Sequence, residues 1–209
     1  NGTPRPSIAR LNADGSLDSS FAPTGSGLDG PVWALAIDGA GRVVVGGGDH
    51  SFTYIARLNA NGIYDYSFSP PYPPRPDPSW FEIGALAIDG SGRVVVGGFY
   101  DDITRLNADG SLDSSFAPTG SGRDGPVGAL AIDGSGRIVV GGFFTSYNGT
   151  PRPSIARLNA DGSLDSSFAP TGSGPNGSVL TVATDDERVV VGGYFTIYGS
   201  ALARYYLEL

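Results

Sequence analysis

The sequence has no cysteine, methionine, lysine or glutamine, and a single histidine in 209 residues. Each absence removes chemistry. Without cysteine there is no disulfide framework, no thiol nucleophile and no cysteine-bound metal. One histidine cannot build a zinc-type centre. The shortage of His, Cys and Lys together argues against an enzyme with a small funnel site. The lack of an initiator methionine implies a chain that is processed, excised or read as part of something longer. No apolar run approaches the roughly 20 residues of a membrane helix, and no signal-peptide pattern is present. All 13 basic residues are arginine, set against 21 acids for a net charge of −8. That single-sign surface disfavours nucleic acid and anionic membranes.

Apolar residues make up 40 % of the chain, enough to bury a core, and Gly 33 and Pro 16 fall at regular places. Regular punctuation of this kind means many turns and many short strands. It reflects a repeat. Residues 1–27, NGTPRPSIARLNADGSLDSSFAPTGSG, recur letter for letter at 148–174, and residues 105–122 repeat part of the block again. The motif (I/L)-A-R-L-N places arginines at Arg10, Arg57, Arg105, Arg157 and, degenerated to LARYY, Arg204, with spacings of 47, 48, 52 and 47. ALAIDG starts at Ala34, Ala85 and Ala129, with LTVATD at Leu180, and VVVGG or IVVGG starts at Val43, Val94, Ile138 and Val189.

ALAI and VVV are continuous apolar runs of strand length, which predicts sheets buried on both faces. The Gly-rich IDGSGR between them predicts a hairpin. SIARLN is a third strand, c, following a (ALAI) and b (VVV), and it ends at a second turn, ADGS, written ANGI at Ala60–Ile63. Asp and Asn are expected to exchange there because both tolerate a positive φ. LDSSF, ending at Phe21, Phe68, Phe116 or Phe168, reads as a short polar outer strand. Three or four antiparallel strands per ~48 residues match a β-propeller blade. The predicted fold is an all-β propeller of four blades, or four plus a fragment. Its approximate units are 1–31 (partial), 32–82, 83–126, 127–178 and 179–209 (partial). The series starts at a third strand and ends after one, so either a ring closes on itself, or a spare strand completes a neighbouring molecule, or a fifth blade is incomplete.

The run ALAID-x-x-GRVVVGG-F-T-x-x-N-G…IARLNADGSLDSSF resembles the bacterial delta-60 repeat, a propeller-like repeat of large surface and secreted proteins. The resemblance covers nearly the whole chain. It implies an extracellular or cell-surface bacterial setting and no defined activity.

Candidate sites are few. NADGSLD offers oxygens at Asn12, Asp14, Ser16 and Asp18, but the first and twelfth positions of an EF-type loop would be Arg10 and Phe21, so a turn is expected rather than a calcium site. No metal and no cofactor are expected. The strand-c arginines, a second series Arg42, Arg93, Arg137 and Arg188, and the carboxylates Asp18, Asp65, Asp113 and Asp165 recur in register. They read as structural ion pairs, worth about 0–1 kcal/mol where exposed, rather than as an anion channel. His50, beside Asp49 and Ser51, forms no triad, because neighbours on an extended chain point apart. Asp101, Asp102 and the run Asp185, Asp186, Glu187 read as solvated charge at turns.

The least repeated stretch is SPPYPPRPDPSWF, residues 69–81, in which Tyr72, Arg75 and Trp80 are interleaved with six prolines. Stiff loops lose little entropy on binding, and these residue types are common hot spots. The stretch is a ligand or subunit contact, or a rigid cap over a blade edge. Asn1, Asn148 and Asn176 fit the N-glycosylation sequon, and Asn-Gly is equally a turn dipeptide. The sequence thus points to a non-catalytic extracellular scaffold or adhesive module that binds protein or carbohydrate through its loops. The alternative is a structural subunit that assembles with copies of itself by strand complementation. No nucleic-acid partner and no membrane insertion are expected.

Overall fold

β-Branched runs punctuated by Asp-Gly turns cannot sustain a helical period, and every regular element among the described residues is a β-strand. In this computed structural model the described residues are 7–21, 28, 30–49, 52–71, 83–98, 103–116, 122–168, 174–185 and 187–196. β1 (Val32–Ile37), β2 (Val43–Asp49) and β3 (Phe52–Leu58) form one antiparallel sheet with β2 in the middle. β4 (Ile83–Ile88), β5 (Val94–Gly98) and β6 (Thr104–Leu106) form a second of the same order. β7 (Val127–Ile132) and β8 (Ile138–Gly142) lead into a small inserted hairpin, β9 (Ser146–Tyr147) and β10 (Thr150–Pro151). β11 (Ile155–Leu158) then returns to the far edge of β8. β12 (Ser178–Thr184) and β13 (Val189–Tyr194) form a two-stranded sheet.

The four sheets stack in chain order: β1 packs on β4, β4 on β7 and β7 on β12. The core lies between them. Val44, Ile55 and Phe68 of the first sheet's unit meet Ile83, Leu86 and Val96 of the second. Val95 and Phe116 of the second meet Val127 and Val140 of the third, and Val139, Ile155 and Phe168 of the third meet Val182, Val189 and Val191 of the fourth. Alternate residues of one strand therefore face two different neighbours. This is why VVV shows no polar alternation. Ahead of the first sheet, Ile8 and Phe21 cover Val43, Val45 and Leu58. The described strands thus form an open arc of blades, with no comparable packing between the first and fourth sheets.

The two glycines that close each VVVGG run have distinct reasons. A Cβ on Gly46, Gly97 or Gly141 would lie 2.7, 2.6 and 2.6 Å from Ile83, Val127 and Val179 of the next blade. A Cβ on Gly47 or Gly142 would strike the carbonyl of Pro31 or Pro126 beside its own first strand. There the register slips: Val32 pairs with Gly47 but Ala34 with Gly46, and β4–β5, β7–β8 and β12–β13 repeat the shift. It is a bulge, which bends the innermost strand.

Two expectations change. LDSSF is not a strand: it makes one isolated bridge per unit, such as Leu58 with Tyr64 or Leu106 with Leu112, and then turns. Its polar side chains bond their own backbone, so nothing is left to pair as a ladder. In the ADGS turn the positive φ belongs to glycine (Gly15 83°, Gly62 86°, Gly110 89°, Gly162 90°), not to the acid before it. Asp and Asn exchange because each supplies an oxygen to the amide two residues on: Asp14 Oδ1 accepts from Ser16 N at 2.9 Å, and Asn61 Oδ1 from Ile63 N at 3.1 Å.

Gly97→Ala is expected to lower stability by about 1–3 kcal/mol, since the added methyl overpacks the seam between blades. Gly39→Ala, which meets nothing within 4 Å, is expected to stay within about 0.5 kcal/mol of the parent. Urea unfolding followed by circular dichroism checks both.

Candidate functional site

The recurring polar residues converge on one arrangement. From strand c, Arg57 Nε donates to Asp65 Oδ2 at 2.8 Å, its Nη2 donates to Ser67 Oγ at 3.3 Å, and its guanidinium lies 4.8 Å from the Phe68 ring centroid. Its Nη1 donates to the carbonyl of Ala108, in the turn of the next blade. Arg105 repeats this with Asp113, Ser115, Phe116 and the Ala160 carbonyl. Arg10 does so with Asp18, Ser20, Phe21 and the Ala60 carbonyl. Arg157 binds Asp165, Ser167 and Phe168. One guanidinium thus ties its own turn, covers an aromatic ring and bolts its blade to the following one, which a point-charge ammonium could not do.

The acid is fixed as firmly. Asp65 Oδ1 accepts from Ser67 N at 3.0 Å and Ser67 Oγ at 2.6 Å. The Ser20 hydroxyl and then Arg10 hold Asp18 down at about 2, against an ordinary 3.8. Asp65 and Asp113 are lowered first by their serine hydroxyls, and Asp165 is lowered by Ser167 and Arg157 in spite of burial. The side chains of Arg57, Arg105 and Arg157 are only 4, 4 and 6 % exposed, against 34 % for Arg10. The low worth of exposed pairs therefore applies to Arg10 alone in this series.

The second arginine series does a different task. Arg42, Arg93 and Arg137 pair with Asp38, Asp89 and Asp133 at 2.7, 2.6 and 2.7 Å across the a–b hairpin turn. Asp38 Oδ1 also accepts from the Ala40 and Arg42 amides. In the fourth unit Asp185 makes the same cap to the Glu187 and Arg188 amides and pairs with Arg188 at 3.0 Å. Asp185 thus caps a turn while its side chain stays 54 % exposed to solvent.

Asp124 is a site the sequence reading missed. Its carboxylate accepts from the amides and hydroxyls of Thr145 and Ser146, and the Thr145 hydroxyl leads in holding its pKa down. Asn176 occupies the same place in the next unit. Its Oδ1 accepts from Thr196 N at 2.6 Å and its Nδ2 donates to Thr196 Oγ1 at 2.9 Å. The signal was present as RDGPV against PNGSV, with FFT and YFT twenty residues on. Asn148, at φ 51°, exchanges hydrogen bonds with Gly122 through its amide and Oδ1. Asn148 and Asn176, the two sequon asparagines among the described residues, are therefore tied into loops. Tyr72, Arg75, Trp80, His50, Ser51, Asp101, Asp102, Asp186, Asn1 and Arg204 lie outside the described residues. The NADGSLD oxygens bond one another and their own backbone. Among the described residues no three or more His, Asp or Glu side chains are placed to hold a metal ion.

Stacked three-stranded sheets with a seam clamp repeated from blade to blade define a β-propeller repeat protein. The family model of a domain of unknown function, the DUF5122 beta-propeller, matches residues 1–21, 41–68, 90–116 and 134–168, and the chain belongs to that family. No curated protein matches the sequence. Among solved structures the chain is similar to the extracellular domain of a B. thetaiotaomicron protein, BT4673, described as a hybrid two component system. That likeness has 16 % identity and a TM-score of 0.50. A second structure of the BT4673 extracellular domain, described as a one component system, aligns at 14 % identity and a TM-score of 0.48. The chain is covered to 88 and 86 % but spans only 23 and 22 % of those chains. The likeness concerns the fold.

Arg105→Ala is expected to cost about 3–5 kcal/mol, because Asp113 is left buried without its cation. Arg10→Ala should cost much less, about 0–1 kcal/mol. Chemical denaturation of the two variants side by side checks the contrast. Because the clamp carboxylates titrate below 3.8 when folded, they stabilise fully above that value, and the contribution is lost as pH falls through their folded pKa. Stability should hold down to about pH 5 and fall between about pH 4 and 2, and melting temperatures across pH 7 to 2 check this.

Proposed function

We propose that the chain is a bacterial repeat module of delta-60 type, located outside the cell, that acts as a non-catalytic scaffold or adhesive surface. The observation that carries this reading is where the repeated polar groups go. Arg, Asp and Ser of the clamp bond within and between blades, repeat after repeat, which is architecture rather than a reaction centre. The extracellular setting is supported by the description of the BT4673 structures as extracellular domains. Ligand contact falls to the loops that vary between units, above all residues 69–81 with Tyr72, Arg75 and Trp80. Asn148 and Asn176 are the candidate positions for glycan attachment. The ligand is a protein or a carbohydrate, held weakly at each blade and more strongly by repetition.

The test is binding of the purified chain, alone and immobilised as an array, to a panel of polysaccharides and extracellular proteins. Single copies should bind weakly, arrays should gain at least about 10²-fold, and Trp80→Ala combined with Arg75→Ala should abolish the gain. Catalytic turnover of any panel member that disappears in Asp49→Asn or His50→Ala would overturn the non-catalytic reading.

A structural role through assembly is the second reading. It is favoured by the apolar sheet faces at both ends of the arc, where Leu35 and Ile37 are 53 and 61 % exposed and Val190 is 68 % exposed.

A further inference from the structure

The first blade's leading face is half covered. Residues 7–21 lie against it in the place of a third strand, with Arg10, Asp18, Ser20 and Phe21 already in the clamp and Arg10 bolted to the Ala60 carbonyl. Ile8 and Phe21 thereby bury Val43, Val45 and Leu58. The inner part stays open. Leu35 and Ile37 are exposed, although their counterparts in the second blade, Leu86 and Ile88, pack on the blade before them. What is missing has the outline of an a–b hairpin.

At the other end of the arc stands such a hairpin. β12–β13 is the one sheet of the stack with no third strand among the described residues. Val190 stands where Val44 and Val95 stand in the first two blades, and those are buried against the following blade. Here Val190 is exposed, as are Thr181 and Ala183 beside it. Arg157 bonds its own Asp165 and Ser167, and no acceptor in a following blade is recorded for its Nη1 among the described residues.

Resting on the assembly reading, we propose that β12–β13 of one copy docks on the leading face of a second copy and takes that copy's residues 8–11 as its third strand. The register follows from the complete blades. Val43 pairs with Leu58 and Val45 with Ala56, and Ile138 pairs with Leu158 and Val140 with Ala156. Transposed, Val189 meets Leu11 and Val191 meets Ala9. Val190 then covers the patch at Leu35 and Ile37, and Arg157 gains the Ala13 carbonyl, which matches Ala60, Ala108 and Ala160. The described strands of each copy supply three complete blades and a share of two composite ones. Two copies joined head to tail close a ring of eight blades, within the usual range of about four to eight. The chain's own Leu202–Tyr205 is the competing third strand, but residues 206–209 read Tyr-Leu-Glu-Leu where the complete units carry the turn that begins Asn-Ala-Asp-Gly or Asn-Ala-Asn-Gly.

The native chain has no cysteine, so an engineered pair reports alone. Ala9→Cys and Val191→Cys are made in separate chains, mixed and oxidised, with mass read by light scattering. The expected result is a native mass twice 21.4 kDa and a covalent heterodimer formed only in the mixture. Leu35→Glu, at an exposed position, should return the protein to a monomer with its circular dichroism spectrum unchanged. A multimer without the 9–191 link would overturn this docking while leaving assembly itself standing. A monomer at every concentration would overturn both. In the double variant, a link within one chain would overturn the second copy as partner.

Discussion

A guanidinium held between two blades is the contact on which the architecture depends. Sheets of three short strands have little edge pairing of their own and gain stability by stacking. Stacking alone does not fix the angle between neighbours. Arg10, Arg57 and Arg105 do so by reaching the carbonyl of the next turn, and their remaining donors are held by Asp, Ser and the ring of a Phe. Because the acid is capped by a serine hydroxyl and amide, the pair is buried with its hydrogen bonds satisfied. That is the condition under which a buried ion pair specifies geometry.

The glycines complement this constraint. Valine fills the space between sheets, and glycine removes the side chain where the following inner strand comes closest. The clamp draws the outer rim of two blades together while the paired glycines let the inner strands approach. Together these set a wedge, repeated three times, and a wedge repeated in one sense produces an arc.

The arc also accounts for how function is read. Polar residues that recur in every unit are engaged in structure, so they report on the fold and not on a ligand. The units differ in sequence at the proline-rich stretch 69–81 and, among the described residues, in the inserted β9–β10 hairpin. The identity of residues 1–27 with 148–174 makes the same point, since identical loops cannot carry divergent chemistry.

The period, the all-β class, the hairpin between ALAI and VVV, and the turn at ADGS were legible in the sequence, because strand runs and Asp-Gly turns depend on residues within a few positions of each other. The recurrence of Arg with Asp was legible too, but its partners were not. Arg57 and Ala108 are about fifty residues apart, and only the stacking angle brings them together. LDSSF looked like a fourth strand because its composition suits one. Its serines bond Asp18, Asp65, Asp113 and Asp165 instead, which no pattern of hydrophobicity records. Asn176 looked like a sequon, and its equivalence to Asp124 emerged only when both were seen holding a threonine twenty residues on. The sequence by itself determined the repeated unit, because local hydrogen bonding and burial are encoded in consecutive residues. The tertiary structure alone decided how units join and which faces stay open, because those depend on the twist between sheets.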